Sequence, residues 1–164
     1  MNSETLIAIT SVCAVFISIV SMVFTVIFSI LQQKHNKNSV KPISAINFND
    51  YEDVLAVRIQ NVGTGPLTIK KVVFKNSSQE SDTLISLMPQ IDQMWSTFTE
   101  SIDGWTISVG GELILLRLYP ESEKTKIIVR KALSKITIYL EYTDIYDTVF
   151  KDERSLDFFG RHYN

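Results

Sequence analysis

The chain has 164 residues, with 16 basic and 18 acidic side chains, two histidines and one cysteine. This near balance of charge argues against a duplex nucleic-acid binder. The single cysteine, Cys13, excludes a disulfide framework or a thiolate metal site within one chain. The sequence also has no phosphate-binding glycine loop, no G-x-S-x-G elbow and no clustered histidines. We therefore predict a protein that is not an enzyme and that needs no metal or cofactor.

Residues 6–31 form one uncharged apolar stretch without proline or glycine, LIAITSVCAVFISIVSMVFTVIFSIL. As a helix it would be about 39 Å long at ~1.5 Å per residue, which is enough to cross a hydrocarbon core of ~30 Å. Residues 1–5 carry no Lys or Arg, unlike the basic start of a secretory signal peptide. We predict a transmembrane helix over 6–31 behind a short exterior N-terminus at 1–5, in preference to a buried core helix.

Residues 32–42, QQKHNKNSVKP, are interpreted as a basic juxtamembrane linker. They contain Lys34, Lys37 and Lys41, whereas no Lys or Arg precedes the span. By the positive-inside rule, we predict that residues 43–164 lie on the cytoplasmic side of a bacterial inner membrane. The same lysines also suit a stop-transfer anchor that touches anionic lipid head groups, and this agrees with that topology. A periplasmic domain is the alternative if the orientation is reversed.

Small and hydroxyl residues in the span recur at spacings of three and four, a pattern that indicates one helix face. We call this set the small-residue seam: Ser11, Ala14, Ser18, Ser21 and Thr25. Membrane helices associate through small residues and interhelical hydrogen bonds, so the seam predicts a homo-oligomer and allows a pore. The alternative is that these hydroxyls bond to the preceding turn of their own helix.

After residue 42 the sequence alternates apolar and polar residues, as half-buried strands do. The predicted strands lie in SAINFND, DVLAVRIQN, LTIKKVVFKN, GWTISVGGELILLRLYP and a C-terminal hairpin around Thr143–Asp147. Two glycines in NVGTGP indicate a turn that needs unusual φ values. The segments NVGTGP, GGELILL and IYLEYTDIY resemble the β-sandwich domains of small single-pass bacterial membrane proteins. We predict an antiparallel, immunoglobulin-like β-sandwich with one or two helices over 43–164.

Two segments have helical spacing. Residues 84–99 place apolar side chains at 84, 87, 88, 91, 94, 95 and 98, in a helical pattern that is either broken or started at Pro89. Residues 122–135 form either a helix opened by Ser122 or a basic strand, and we favour the helix. In that helix, four apolar residues are expected to face the core: Ile128, Val129, Ala132 and Leu133. Lys124, Arg130 and Lys131 would share another side.

Three groups of residues are candidates for binding an anionic ligand. The basic segment supplies cations for phosphates, although a solvated helix face is the alternative: Lys124, Lys126, Arg130 and Lys131. The tail combines aromatic rings and cations suited to a nucleotide, although its aromatics alternatively cap the core: Phe159, Arg161, His162 and Tyr163. Arg58 and Asn61 flank the glycine turn, whose backbone N–H groups are a third and weaker candidate site.

One N-terminal span followed by a cytoplasmic β-rich domain resembles the layout of small CRISPR-associated membrane effectors that answer cyclic oligoadenylate. The segments KTKIIVRKALSK and RHYN supply compatible cations. The resemblance implies an antiphage effector in which the cytoplasmic domain binds cyclic tetra-adenylate, the protein is a tetramer, and binding disturbs the membrane. The alternative, from a different class, is a membrane-anchored β-sandwich that binds a protein partner and no small molecule.

Overall fold

The computed structural model describes residues 3–161, which divide into one unit ending at Ser39 and another beginning at Val40. The first unit is helix α1, Ser3–Ser39, in which no residue is buried. Among the described residues it is the one helix long and apolar enough to cross a membrane. It continues past Leu31, so residues 32–39 of the predicted linker are helical. Gln and Lys in this segment favour a helix once one has begun.

Within residues 40–161 the second unit contains nine strands and one α-helix, α2, which spans Glu123–Leu133. Short 3₁₀ helices occupy Ile85–Leu87 and Asp157–Gly160. The strands are β1 (Ser44–Asp50), β2 (Leu55–Asn61), β3 (Leu67–Lys75), β4 (Glu80–Ser81), β5 (Thr97–Phe98), β6 (Thr106–Ile107), β7 (Glu112–Leu118), β8 (Thr137–Thr143) and β9 (Val149–Ser155).

The strands form two antiparallel sheets. One has the order β1-β2-β7-β5, and the other has the order β4-β3-β8-β9 with β6 paired to the start of β3. These orders match the A-B-E-D and C-F-G sheets of an immunoglobulin domain, with β4 as an added edge strand. The predicted fold class, a long apolar helix followed by a mainly-β domain of two antiparallel sheets, is therefore confirmed.

The core lies between the two sheets and is closed by α2 and the C-terminal 3₁₀ helix. Both sheets contribute alternate side chains to it, as strands with one buried face do. Its fully buried members include Leu55, Val57, Ile59, Val72, Phe74, Leu118, Ile138, Leu133 and Phe159. The alternation that predicted strands in SAINFND and LTIKKVVFK thus corresponds to the side chains that fill this core.

The predicted helix over residues 84–99 is wrong. Only Ile85–Leu87 form one 3₁₀ turn, and Thr97–Phe98 are strand β5. Met88 is extended, with φ −85° and ψ 145°, because the ring of Pro89 excludes the helical conformation from the preceding residue. Met94, which the pattern assigned to an apolar face, is 90% exposed. Leu84 alone among the predicted apolar positions is fully buried.

The turn between β2 and β3 holds the chain where it enters the domain. Thr64 N donates to Lys41 O at 3.0 Å, and Val62 N donates to Ile43 O at 2.9 Å. A Cβ on Gly65 would lie 1.8 Å from the carbonyl oxygen of Val40. Neither glycine of the turn has positive φ, so the prediction that they supply unusual φ values is wrong. They are required because another backbone passes against them.

Candidate functional site

Helix α2 begins as predicted. Ser122 is extended, with φ −141° and ψ 150°, and its hydroxyl accepts a hydrogen bond from Thr125 N at 3.1 Å. This N-cap satisfies one of the free N–H groups of the first turn. The buried residues of the helix are Lys126, Val129, Arg130 and Leu133.

The predicted orientation of α2 is therefore partly wrong. Val129 and Leu133 face the core as expected, but Ile128 is 36% exposed. Arg130, which was placed on the solvent side with Lys124 and Lys131, is buried. The reason is an acidic partner on another element. A buried cation is stable only when it is paired, and the sequence pattern of the helix alone does not reveal that partner.

The partner is Asp50 at the end of β1. Arg130 Nε and Nη2 each lie 2.6 Å from Asp50 Oδ1, and Arg161 Nη1 bonds Asp50 Oδ2. The Asp50 side chain is fully buried, and that of Arg130 is 10% exposed. Both oxygens of the carboxylate are thus occupied by guanidinium groups, which are its strongest hydrogen-bond donors. Arg130 and Arg161, which were predicted to bind phosphates, each form an ion pair with Asp50. We call these three residues the Asp50 cluster.

The remaining cations of α2 differ in exposure. Lys126 is buried, and its Nζ lies 3.3 Å from a carboxylate oxygen of Glu123. Lys124 and Lys131 are exposed. Of the four basic residues predicted to hold phosphates, these two are therefore the ones presented to solvent.

Of the C-terminal aromatics, Phe159 packs in the core, and it does so from a 3₁₀ helix instead of the terminal strand that the alternative interpretation assumed. Phe159 is fully buried, with its ring centroid 5.5 Å from that of Phe48, so it has no face for a base. Phe158 is 45% exposed and lies beneath Arg161, whose Cζ is 3.9 Å from the ring centroid. The predicted ligand residues His162 and Tyr163 lie outside the described residues.

Asn61 is a structural residue of the glycine turn. Its side chain is fully buried and donates to Gly65 O at 2.8 Å and to Ile107 O at 3.1 Å. Its Oδ1 accepts from Gly63 N at 3.0 Å. Three of the backbone N–H groups that were predicted to be free for an anion, those of Val62, Gly63 and Thr64, are therefore already bonded. Arg58 forms an ion pair with Glu112 at 3.2 Å, while its buried Nε has no hydrogen-bond partner.

In the small-residue seam of α1, hydroxyl groups bond to the preceding turn of their own helix, which was the alternative to self-association. The hydroxyls of Ser11, Ser18 and Thr25 donate to carbonyls four residues earlier at 2.9, 2.8 and 2.8 Å. Their donors are satisfied within the helix, although their oxygens can still accept a bond. Close approach of a second helix at Ala14 and these small side chains is compatible with this geometry.

The outward side of the β3-β8-β9 sheet carries two adjacent rows of paired side chains. Val73 pairs with Tyr139, which pairs with Glu153. Beside this row, Lys71 pairs with Glu141, which pairs with Lys151. These side chains line a shallow depression of ≈ 450 Å³. We call these six residues the Tyr139 face: Lys71, Val73, Tyr139, Glu141, Lys151 and Glu153.

Tyr139 occupies the middle strand of this face and is 40% exposed. Partial desolvation and the neighbouring Glu153 carboxylate raise the pKa of the phenol above its ordinary 10.0. The hydroxyl therefore remains protonated at neutral pH and can donate a hydrogen bond. Lys151 Nζ and Glu141 form an ion pair at 3.4 Å beside it. None of these residues was among the predicted sites, although the alternation in TIYLEYT and VFKDERS already indicated two outward-facing rows.

Residues 3–161 contain no group of three or more His, Cys, Asp or Glu side chains placed to hold a metal ion. No protein-family model, curated protein or solved structure matches the chain. Fold and surface together define a class, namely a protein with one membrane-length helix and an immunoglobulin-like β domain.

Proposed function

We propose that the protein is a single-pass membrane anchor whose β domain presents the Tyr139 face to a protein partner. The observation that carries this proposal is the arrangement of that face, in which an exposed aromatic ring and an aliphatic side chain lie beside a row of charges of both signs. Protein interfaces commonly have a small apolar or aromatic centre and a polar rim. Tyr139 and Val73 form such a centre, and the surrounding Lys and Glu side chains form the rim.

Three features favour a partner of protein type over a small molecule. The depression is shallow, whereas small-molecule sites enclose most of their ligand. The surrounding charges are of both signs, so no single-sign field would select a phosphate. The arginines best suited to phosphate binding, Arg130 and Arg161, are paired with Asp50.

A photo-crosslinking residue at position 139 tests this function. In membranes containing the full chain, we expect a discrete adduct from position 139 and none from Ser78, which lies in the turn after β3. Replacing the central rim acid with Glu141→Lys should weaken the adduct at least tenfold, because a partner cation that faces Glu141 would then meet a row of three lysines. A single adduct of twice the chain mass would identify the partner as a second copy. Equal labelling at 139 and Ser78 would refute the proposal.

We further propose that the β domain is cytoplasmic in a bacterial inner membrane, supported by Lys34, Lys37 and Lys41 after the apolar stretch. Fusions to the C-terminus check the orientation. Green fluorescent protein should be bright there, and alkaline phosphatase, which needs an oxidising compartment, should be inactive. Lys34→Glu with Lys37→Glu should increase the phosphatase signal. An active phosphatase on the unaltered chain would reverse the assignment.

A second candidate function is the CRISPR-type effector that binds cyclic tetra-adenylate and perturbs the membrane as an oligomer. It is supported by the layout of helix and β domain and by the exposed cations Lys124 and Lys131 on α2. A ligand would act by binding one oligomeric arrangement better than another, with a difference of ~5 kcal/mol for a nearly complete switch.

Equilibrium binding of labelled cyclic tetra-adenylate to the full chain in nanodiscs discriminates the two functions. The effector predicts binding that falls at least tenfold in Lys124→Ala with Lys131→Ala and that weakens steeply with salt. The matched control is Lys75→Ala, which removes an exposed lysine at the end of strand β3. The anchor proposal predicts no saturable binding at micromolar protein in low salt.

A further inference from the structure

Three loops of the β domain lie at the end where the chain enters it. Val62 N bonds Ile43 O, which joins the β2–β3 turn to the entry segment. Gly110 N donates to Asn61 O at 3.0 Å, which places the β6–β7 turn beside the same strand end. Pairing of Thr68 with Thr143 brings the β8–β9 turn to this end as well. We call them the entry-end loops: residues 62–66, 108–111 and 144–148.

The tips of these loops are apolar and solvent-exposed. Val62, Val109 and Ile145 are 53%, 56% and 57% exposed, one on each loop, and Ile43 beside them is 48% exposed. The loops 62–66 and 108–111 contain no charged residue. The third loop, 144–148, contains two acids: Asp144 is buried and its Oδ1 accepts bonds from Tyr146 N and Thr148 N, whereas Asp147 is exposed.

Chain length keeps this end close to the membrane surface. Between Leu31, the last residue of the apolar stretch, and Ser39, the end of α1, lie eight residues of helix, or about 12 Å at ~1.5 Å per residue. Any tilt of the helix shortens that distance from the bilayer. Lys41, at the entry itself, is a cation suited to anionic head groups.

We infer that the entry-end loops insert their apolar tips into the interface of the bilayer that α1 crosses. This inference rests on the membrane anchoring in the proposed function. The occupant is a phospholipid bilayer containing anionic lipid. Aliphatic side chains at exposed loop tips gain free energy when they enter the boundary between head groups and acyl chains. Insertion at three points would fix the domain against the membrane and leave the Tyr139 face directed along its surface.

The test uses the full chain with Cys13→Ala in vesicles of phosphatidylethanolamine and phosphatidylglycerol. Single cysteines replace Val62, Val109 or Ile145 and carry an environment-sensitive fluorophore. We expect blue-shifted emission and strong quenching by lipids with a nitroxide near the head group. The same label at Ser78, in the turn after β3, should emit as in water and resist quenching. Val15→Cys, within the apolar stretch, is the control for helix insertion.

The outcomes distinguish insertion of the loops from anchoring of the chain by α1. Water-like emission at all three loops with blue-shifted emission at Val15 would overturn loop insertion and leave the anchor intact. A water-like label at Val15 would overturn the anchor, and loop insertion with it. Blue-shifted loops that lipid nitroxides do not quench would show that protein covers this end, which also overturns the inference. With a label at Val109, Val62→Asp and Ile145→Asp together should abolish the shift.

Discussion

Replacing Asp50 with alanine is expected to lower the free energy of unfolding of the β domain by about 3–5 kcal/mol. The carboxylate is fully buried, and its removal leaves Arg130, itself nearly buried, without a counter-charge. Arg161 would lose the same partner. Because a domain of this size is stable by only ~5–15 kcal/mol, this single change removes a large part of the margin.

Denaturant titration followed by tryptophan fluorescence measures this loss. Both tryptophans, Trp95 and Trp105, belong to the β domain, so the signal is insensitive to α1. Asp53→Ala, which removes an exposed acid three residues away, should change stability by less than ~0.5 kcal/mol. The double variant Asp50→Ala with Arg130→Met should be more stable than Asp50→Ala alone, because it no longer buries an unpaired charge. An equal loss for Asp53→Ala and Asp50→Ala would show that the cluster contributes nothing specific.

Asn61→Asp is expected to destabilise the β domain by about 2–4 kcal/mol, although the two side chains have the same shape. The amide nitrogen of Asn61 donates to two buried carbonyls, those of Gly65 and Ile107. A carboxylate has no hydrogen to donate, so it would face both oxygens with a negative charge. The variant would also gain no new hydrogen bond from Gly63 N, because Asn61 Oδ1 already accepts that bond.

Asn76→Asp is the matched control for this substitution. Asn76 also stabilises a turn, but through its Oδ1 alone, which accepts from Ser78 N at 2.9 Å and Gln79 N at 2.8 Å. Aspartate supplies the same acceptor, so the control should stay within ~0.5 kcal/mol of the parent protein. Denaturant midpoints of the two variants, compared in the full chain, give the difference directly. Similar midpoints would show that the donor bonds of Asn61 do not stabilise the turn.

Local patterns predicted most of the fold because they report which side chains each strand buries between the two sheets. The alternation in SAINFND corresponds to β1, and the Ser122 signal corresponds to the start of α2. The segment 84–99 failed because helical spacing outweighed the restriction that Pro89 places on Met88. Spacing alone records where apolar residues recur and contains no information on whether the backbone can be helical between them.

The candidate site was harder to predict because its determinants are distant in sequence. Arg130 was placed on the solvent side since its partner, Asp50, is 80 residues earlier and nothing local marks the pair. The sequence around Phe159 likewise has no local pattern that marks a core residue. Its packing against the ring of Phe48 shows that it belongs to the core. The Tyr139 face was visible as alternation in β8, but alternation does not show which of two faces stays exposed in the folded sheet.

The passage of the chain entry against the β2–β3 turn sets where a soluble fragment of this protein can begin. The carbonyl of Lys41 accepts a bond from Thr64, so a fragment that starts at Ile43 leaves that N–H group without its acceptor. It also uncovers Gly65, against which Val40 packs. The natural boundary is therefore Val40, three residues earlier than the alternation of the strands indicates, and a cloned fragment should include it to retain the edge of the first sheet.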